Sequence, residues 1–418
     1  MTEPHRLSAT DMARAIAAGD LTSAKIALSC LERITARNDD VRAWAHLDPD
    51  RAITSVASLP TGPLNGIPVG VKDIIDTADM PTEFGSKIYT GNRPDADARS
   101  IASVRALGGL VMGKTVTTEF AWRRANETRN PHNPVHTPGG SSSGSAAAVA
   151  DFQVPLAIGT QTAGSVIRPA AYCGIVGFKP SYRRYPTGGV KPLSPSLDTV
   201  GIFARSVADI AFFDGALTGT NHDLRGAAPR LALFVPFRGQ LKEAGAKALE
   251  DTAHQLSATG VGIREISDLP GFAATADAHG IIMAGEIGRT LHYELVNFPH
   301  LLNDYYRENI TLGATIPDTE INAALSLVAE SRRQAATVFK DVDLILSPPA
   351  PGPAPAGLEN TGDPMFNKVW TALHWPTITL PVKKDGRLPV GIQLVAASGE
   401  ESRLLAGAAW VEAALQKS

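Results

Sequence analysis

A serine in a turn of small residues is the first candidate for chemistry in this sequence. Ser165 lies in "GTQTAGSVIRPAAYCG" (159–174), a setting in which a hydroxyl can be held exposed for attack. That stretch contains no histidine, and a serine at its ordinary pKa is a poor nucleophile unless a base lies beside it. If Ser165 attacks a carbonyl group, another residue type must take its proton.

Lys72 is the candidate for that proton acceptor. It follows the apolar run Ile67–Val71 in "GIPVGVKDIID" (66–76), which predicts a buried strand with a loop after it. A lysine drawn into low-dielectric surroundings loses its preference for the charged form, so its pKa falls toward the range of a useful base. Taken alone, this residue could equally be a solvated lysine.

A third segment, "PGGSSSGSAAAVA" (138–150), predicts a Gly/Ser loop that leads into an Ala-rich helix. Together with the segments around Lys72 and Ser165, it places polar residues where a strand meets a turn of small residues. Such turns let backbone approach a ligand and let N–H groups converge on an anion. Any one of these segments could be a plain turn; the three in this order form a specific pattern.

The three segments resemble the amidase signature family of serine amidohydrolases. The likeness runs from the N-terminal helices to "LPVGIQLVA" (388–396) and is weakest between about 220 and 340. The resemblance implies a Ser–Ser–Lys triad with Ser165 as nucleophile, Ser141 as bridging serine on a non-proline cis peptide bond, and Lys72 as base. It further implies an acyl-enzyme mechanism that needs no metal and no cofactor.

The turn before Ser165 is expected to stabilise the oxyanion through backbone N–H groups. These groups belong to Thr162, Ala163, Gly164 and Ser165. The sequence departs from the commonest family pattern here, with Ala163 in place of glycine and Gln161 in place of aspartate. If the backbone needs a positive φ, Ala163 is strained, and its methyl group could narrow the acyl pocket.

Six residues are assigned to substrate binding. Arg168 lies three residues after Ser165; in malonamidase-like members the matching arginine is associated with a substrate carboxylate, although it can also brace the site through internal carboxylates. The other five candidates are Gly140, Thr160, Trp122, Trp370 and His374. Both tryptophans could instead be core residues and His374 a loop residue. A small amide acid, an aryl amide, a urea-like compound and a carbamate all fit these residues.

Two other functions compete with the amidase. The family includes an amidotransferase component that releases ammonia from glutamine for tRNA-linked synthesis, but the chain is short for that role.

The other alternative is a nucleotide-binding site, because residues Gly108–Thr115, "GGLVMGKT", match a phosphate-loop pattern. That pattern requires a flexible loop between strand and helix, whereas this apolar run predicts a buried strand that ends in Lys114. His132 and His136 lie among prolines, which predicts a surface loop rather than a metal-binding helix.

Composition restricts the setting and the partners. The chain has 418 residues, a formal net charge of −3 and only two cysteines, Cys30 and Cys173, so we expect no disulfide scaffold and a cytoplasmic location. No block of basic residues predicts a nucleic-acid or membrane surface. The expected partner is a small-molecule amide, and a homodimer is compatible with the family.

Strand-like and helix-like segments alternate along the chain, which predicts one large α/β domain whose central mixed sheet has helices on both faces. We expect an N-terminal helical segment (1–60), a catalytic core (61–215), a variable cleft-forming region (220–340) and a C-terminal sheet and helix (341–418). Within the last of these, a β-hairpin is predicted around Asp385-Gly386.

Overall fold

A mixed β-sheet runs through the centre of the molecule. The computed structural model describes residues 3–383 and 388–416, and eleven strands lie within that part of the chain. The strands are β1 (Trp44–Leu47), β2 (Pro68–Lys72), β3 (Leu110–Thr115), β4 (Leu156–Gln161), β5 (Val176–Lys179), β6 (Thr199–Ala204), β7 (Leu231–Phe234), β8 (Ile263–Ile266), β9 (Leu344–Ser347), β10 (Thr377–Lys383) and β11 (Val390–Val395). Their order across the sheet is β1-β3-β2-β4-β6-β5-β10-β11-β9-β7-β8.

Two parallel groups lie at the two sides of this sheet, with antiparallel strands between them. Strand β2 is parallel to β3 and β4, and β7 is parallel to β8 and β9. The remaining neighbours are antiparallel. Every residue of β2, β3 and β4 is buried. Because successive side chains of a strand point to opposite faces, this burial shows that both faces are covered.

Helices supply that cover. They are α1 (Ala9–Ala18), α2 (Ser23–Val41), α3 (Pro49–Val56), α4 (Arg99–Ala106), α5 (Ser143–Ala150), α6 (Ile167–Cys173), α7 (Val207–Thr218), α8 (Glu243–Ala258), α9 (Phe272–Thr290), α10 (His292–Asn297), α11 (Asp304–Thr315), α12 (Asp318–Ala335), α13 (Lys368–Ala372) and α14 (Glu401–Gln416). The predicted fold class, a single large α/β domain with helices on both faces of a mixed sheet, is confirmed.

The N-terminal half follows local sequence rules closely. Ser8 caps α1, since its hydroxyl accepts a hydrogen bond from the backbone N–H of Asp11 at 3.0 Å. The apolar run before Lys72 forms β2, as predicted. The Ala-rich segment after the Gly/Ser loop forms α5, and its residues Ser143–Val149 are buried.

Near the C-terminus, the predicted hairpin brings β10 and β11 together as antiparallel neighbours, but its turn around Asp385-Gly386 lies outside the described residues.

The phosphate-loop alternative is wrong. Residues Leu110–Thr115 are strand β3, and the Lys114 side chain is fully buried. Its amine forms an ion pair with Asp73 at 2.9 Å and donates to the Thr82 hydroxyl at 2.5 Å. A buried strand whose lysine is already paired has neither the flexible loop nor the free cation that phosphate binding requires.

The predictions about the histidine pair and the cysteines agree with the structure. His132 and His136 lie in a loop, where each ring contacts a backbone carbonyl oxygen, of Cys173 at 2.8 Å and of Ala354 at 2.9 Å. Both cysteines are buried and unbridged. Among the helices that the structure describes, none combines the length and the apolar character needed to cross a bilayer.

Candidate active site

Lys72 is the last residue of β2 and is completely buried. Its amine nitrogen lies 2.8 Å from the Ser141 hydroxyl and 2.8 Å from the Thr160 hydroxyl. Burial lowers the pKa of Lys72 well below its usual value of 10.5, and the charge of Asp198 opposes that shift. Among the described residues, Lys72 forms no ion pair. Burial therefore favours the uncharged form of the amine, which faces two hydroxyl groups.

Ser141 is presented by the Gly/Ser loop that precedes α5. The peptide bond between Gly140 and Ser141 is cis, as the resemblance implies. Gly139 has a φ of +81°, and a Cβ there would lie 2.8 Å from the Pro169 backbone. A side chain at Gly144 would lie 2.3 Å from the backbone nitrogen of Val116. This stretch consists of small residues because its backbone packs directly against other backbone.

Ser165 lies in the turn between β4 and α6 and is 8% exposed. Its hydroxyl has no hydrogen-bond partner within residues 3–383 and 388–416, so the predicted contact with Ser141 is not formed in this structure. The structure thus places Lys72 and Ser141 in direct contact and leaves the Ser165 hydroxyl unpaired at the cavity wall. Contacts of this kind are often long in free enzymes and tighten when substrate binds.

The backbone of the turn carries four consecutive N–H groups without an acceptor in the described part of the chain. They belong to Thr162, Ala163, Gly164 and Ser165. Ala163 is not among the residues with positive φ, so the predicted strain at this position is absent. A Cβ on Gly164 would lie 2.5 Å from the Asn367 side-chain oxygen and 3.0 Å from Arg168 Nη1. The turn therefore accommodates alanine at 163, whereas a side chain at 164 would have to displace Asn367 and Arg168.

Side chains from three distant segments hold this turn, and sequence reasoning missed all three. The Thr162 hydroxyl donates to Asp198 at 2.6 Å. The Thr162 carbonyl oxygen lies 3.1 Å from His279 Nε2, and the Ala163 carbonyl oxygen accepts from the Thr371 hydroxyl at 2.8 Å. Each of these contacts joins residues 36 or more positions apart. The one available sequence signal was Gln161, the departure from the family pattern, whose side chain donates to Thr371.

Arg168 is buried beside the turn and has no carboxylate partner among the described residues. Its Nε donates to the Thr361 carbonyl oxygen at 2.7 Å and its Nη2 to the Gly140 carbonyl oxygen at 2.7 Å. The third nitrogen, Nη1, is buried without a partner. Burial lowers the pKa of Arg168 to about 10, so the group stays protonated at neutral pH. The alternative of an internal carboxylate brace is therefore not realised, and backbone carbonyls take its place.

A cavity of about 400 Å³ opens in front of Ser165 and Arg168. Its wall includes Trp122, whose ring stacks on Tyr306 with centroids 4.8 Å apart. A second cavity of about 630 Å³ shares Arg123 and Thr361–Asp363 with the first, so the two spaces adjoin. A pocket of this size suits a small organic molecule.

Four residues assigned to substrate binding do not line this cavity. Trp370 is fully buried in an apolar cluster, where it packs against Trp375. His374 stacks on Tyr182 at 4.1 Å and contacts the Ser196 carbonyl oxygen at 2.9 Å.

The other two are Gly140 and Thr160. The Gly140 carbonyl oxygen accepts from Arg168, and the Thr160 hydroxyl faces Lys72. Both are therefore occupied by contacts within the protein, whereas Arg168 and Trp122 do lie at the cavity.

The arrangement can support attack by a serine on a carbonyl group. It combines an unpaired hydroxyl, a second hydroxyl in contact with a desolvated amine, and free N–H donors in the same turn. Within the described residues, no three His, Cys, Asp or Glu side chains are grouped as a metal site would need.

Comparisons with known proteins show which family the chain resembles in sequence and in fold. The amidase family profile matches residues 25–405. The A component of a glutamyl-tRNA(Gln) amidotransferase from Chloroflexus aurantiacus is 32% identical, with 97% of this chain and 96% of the relative covered. A crystal structure of an amidase is 30% identical, with a TM-score of 0.89 and coverage of 97% and 99%. A chain from a vestigial protein complex related to an s-triazine catabolic enzyme is 26% identical, with a TM-score of 0.88 and 98% coverage of both chains.

Proposed function

The chain belongs to the amidase signature family, and from that premise we propose that it hydrolyses a C–N bond of a small linear amide through an acyl-enzyme on Ser165. Neutral Lys72 takes a proton from Ser141, which takes one from Ser165 as the Ser165 oxygen attacks the amide carbonyl. The proton returns by the same route to the departing nitrogen, and the C–N bond breaks. Water then attacks the acyl-enzyme, releasing the acid and restoring the serine.

The contact between Lys72 and Ser141 is the observation that carries this proposal. A charged lysine could donate to Ser141 but could not accept its proton. Because burial lowers the pKa of Lys72 and no carboxylate of the described residues contacts its amine, the acceptor form is favoured. The 2.8 Å distance between the nitrogen and the Ser141 oxygen is within reach for direct proton transfer.

The four free N–H groups support the second half of the mechanism. In attack on an amide, the carbonyl oxygen gains negative charge, and donors already oriented toward it lower the barrier. A turn whose N–H groups have no acceptor among the described residues supplies such donors next to the nucleophile. Loss of one oxyanion donor in other enzymes costs about 10²–10³-fold in kcat.

Arg168 favours a substrate that carries a carboxylate. Arg168 lines the cavity, and its buried Nη1 has no hydrogen-bond partner among the described residues, so the guanidinium gains a charge-assisted partner when such a substrate binds. We expect a small amide acid to react faster than the matched diamide, and Arg168→Met to remove that preference. Equal rates of the wild-type protein on the two compounds would contradict this assignment.

A second candidate function is release of ammonia from glutamine as the A-type component of an amidotransferase. The relative from Chloroflexus aurantiacus, whose name marks it as one chain of a larger enzyme, favours it. The two functions differ in their requirements, because the second predicts that glutamine hydrolysis depends on partner chains and tRNA. Turnover of small amides by the purified chain alone favours the first.

Covalent labelling tests the nucleophile directly. The protein is treated with a fluorophosphonate. In this reaction the Ser165 oxygen forms a bond to phosphorus and fluoride leaves. Mass spectrometry should find the label on Ser165 and on no other residue. Ser165→Ala should lose both the label and the release of ammonia from a panel of small amides, while its melting temperature stays unchanged. A label on another side chain, or wild-type turnover by Ser165→Ala, would refute the proposal.

A further inference from the structure

Hydrogen bonds to its carbonyl groups hold the turn at 162–165, while its N–H groups have no acceptor in the described part of the chain. The carbonyl oxygens of Thr162 and Ala163 each contact one buried side chain, of His279 and of Thr371. Both side chains come from helices far from the turn in sequence, α9 and α13. The contacts are therefore products of the tertiary fold.

His279 must donate to Thr162, because a carbonyl oxygen can only accept. The side chain is 3% exposed, and burial lowers its pKa to about 4, so the imidazole is neutral at pH 7. A neutral imidazole carries one N–H, and the 3.1 Å contact assigns that hydrogen to Nε2. The histidine thus acts as a fixed hydrogen-bond donor and carries no charge.

Thr371 donates to Ala163, and Gln161 directs it to do so. The Gln161 side-chain nitrogen donates to the Thr371 hydroxyl at 2.9 Å, which occupies that oxygen as an acceptor. The hydroxyl hydrogen then has Ala163 as its nearer acceptor, at 2.8 Å, with the Asn367 carbonyl oxygen at 3.3 Å. The Gln161 oxygen accepts from the backbone N–H groups of Val166 and Ile167 at 2.9 and 3.0 Å. A carboxylate at 161 could accept these bonds but could not donate to Thr371.

Because a peptide unit is planar, a contact that fixes its carbonyl group also fixes the direction of its N–H group. In a planar trans peptide unit the C=O and N–H bonds point in opposite directions. The Thr162 carbonyl shares its unit with the Ala163 N–H, and the Ala163 carbonyl shares its unit with the Gly164 N–H. Neither peptide bond is cis. Anchoring the two carbonyls therefore fixes the directions of the two following N–H groups.

We propose that His279 and Thr371 are positioning residues for oxyanion stabilisation: by binding the carbonyls of Thr162 and Ala163, they aim the N–H groups of Ala163 and Gly164 at the substrate oxygen. This inference rests on the proposed function. It adds two residues outside the three signature segments to the machinery, one of them in the region between 220 and 340 where the family likeness is weakest. Neither residue transfers a proton.

Saturation kinetics of fluorophosphonate inactivation test the proposal, because negative charge develops on the phosphoryl oxygen in that reaction as well. Thr371→Val keeps the shape of the side chain and removes the hydroxyl, and His279→Leu removes the imidazole donor. We expect each change to lower kinact by about 10–100-fold, the size of effect that a small misplacement of catalytic groups produces. KI should change by less than about threefold, since reagent binding does not depend on the developing charge.

Conservative variants distinguish positioning from loss of structure. Thr371→Ser retains the hydroxyl and His279→Gln retains a donor nitrogen, so both should recover kinact to near the wild-type value. Thr379→Val is the matched control, because Thr379 is another buried threonine that donates to a backbone carbonyl, of Ile392, at 2.7 Å. It should leave kinact unchanged. If Thr371→Val fails to fold, the His279 pair decides the outcome alone.

The possible failures have separate signatures. If the wild-type protein is not labelled on Ser165 at all, the proposed function fails and this inference with it. If Ser165 is labelled and His279→Leu and Thr371→Val react at the wild-type kinact, the inference alone is overturned. It is also overturned if kinact falls in these variants and neither His279→Gln nor Thr371→Ser restores it.

Discussion

Two buried lysines on neighbouring strands differ in their partners, and the proposed function gives a catalytic role to only one of them. Lys72 on β2 and Lys114 on β3 are both completely buried. The parallel register pairs Val71 with Lys114 and Lys72 with Thr115, so the two side chains are offset by one position. Because the side chains of a strand alternate between faces, they enter opposite sides of the sheet.

The partners of the two amines differ. Lys114 has a carboxylate, Asp73, at 2.9 Å, and Lys72 has two hydroxyls at 2.8 Å. Burial lowers the pKa of both lysines, and Asp73 opposes the shift at Lys114 by direct contact. Of these two lysines, only Lys72 lacks a contacting carboxylate among the described residues, which is why the proposed function assigns the role of base to Lys72.

Replacing Lys72 with methionine should have the largest effect on activity. Methionine fills a similar volume but cannot accept a proton, so we expect kcat for amide hydrolysis to fall by about 10²–10⁴-fold, the usual contribution of a general base. Steady-state kinetics on a reactive amide measure this. A loss of kcat of less than about tenfold would show that another group takes the proton.

The same replacement at Lys114 should affect stability instead. Lys114→Met leaves the Asp73 carboxylate buried without its partner, and breaking one side of a buried pair costs about 3–5 kcal/mol. Chemical denaturation should show this loss, while kcat at a temperature where the variant is folded stays close to wild type. The comparison fails if Lys114→Met loses activity as Lys72→Met does.

The pH dependence sharpens the contrast without a large structural change. The base form of Lys72 is the deprotonated one, so kcat/KM should rise about tenfold per pH unit below its apparent pKa and level off above it. Since burial lowers that pKa well below 10.5, the plateau should begin well below pH 10.5. Lys114→Met should keep the same profile. A rate still rising toward pH 10.5 would contradict a desolvated base.

A second change tests the reason for the stability loss and should have the smallest net effect. Adding Asp73→Asn to Lys114→Met removes the unpaired charge. In the structure the backbone N–H of Glu83 donates to the Asp73 carboxylate at 3.1 Å, and the amide oxygen of the asparagine can still accept this hydrogen bond. The double variant should recover at least about half of the 3–5 kcal/mol lost in Lys114→Met. Denaturation of the single and double variants side by side measures the recovery. No recovery would mean that packing, rather than charge, holds this site.

Sequence reasoning succeeded where chemistry depends on local order. The apolar run before Lys72 predicted a buried strand, and the segment around Ser141 predicted a Gly/Ser loop that leads into an Ala-rich helix, as the structure has it. The family resemblance supplied the pairing of Lys72 with Ser141, which the structure places in contact. In each case a short segment carries both the residue and the element that presents it.

Sequence reasoning failed where a side chain acts across the fold. His279 and Thr371 reach the turn through backbone carbonyls, and a carbonyl contact leaves no residue-type pattern at either end. The assignment of Trp370 to substrate binding relied on the aromatic residues of "KVWTALHW". Packing with Trp375, Phe234 and Phe272 places this ring in the core instead. Periodicity shows that a face is apolar without showing whether a cavity or another ring covers it.

The anchoring of the turn at 162–165 from α9 and α13 has a consequence for heat inactivation. The turn keeps its shape only while both helices stay docked, and local opening of a helix costs less free energy than unfolding the whole chain. On gradual warming, the capacity to acylate Ser165 should therefore disappear at a lower temperature than the far-ultraviolet circular dichroism signal of the sheet and helices. Under the proposed function, loss of activity on warming reports the undocking of two helices that carry none of the side chains of Lys72, Ser141 and Ser165.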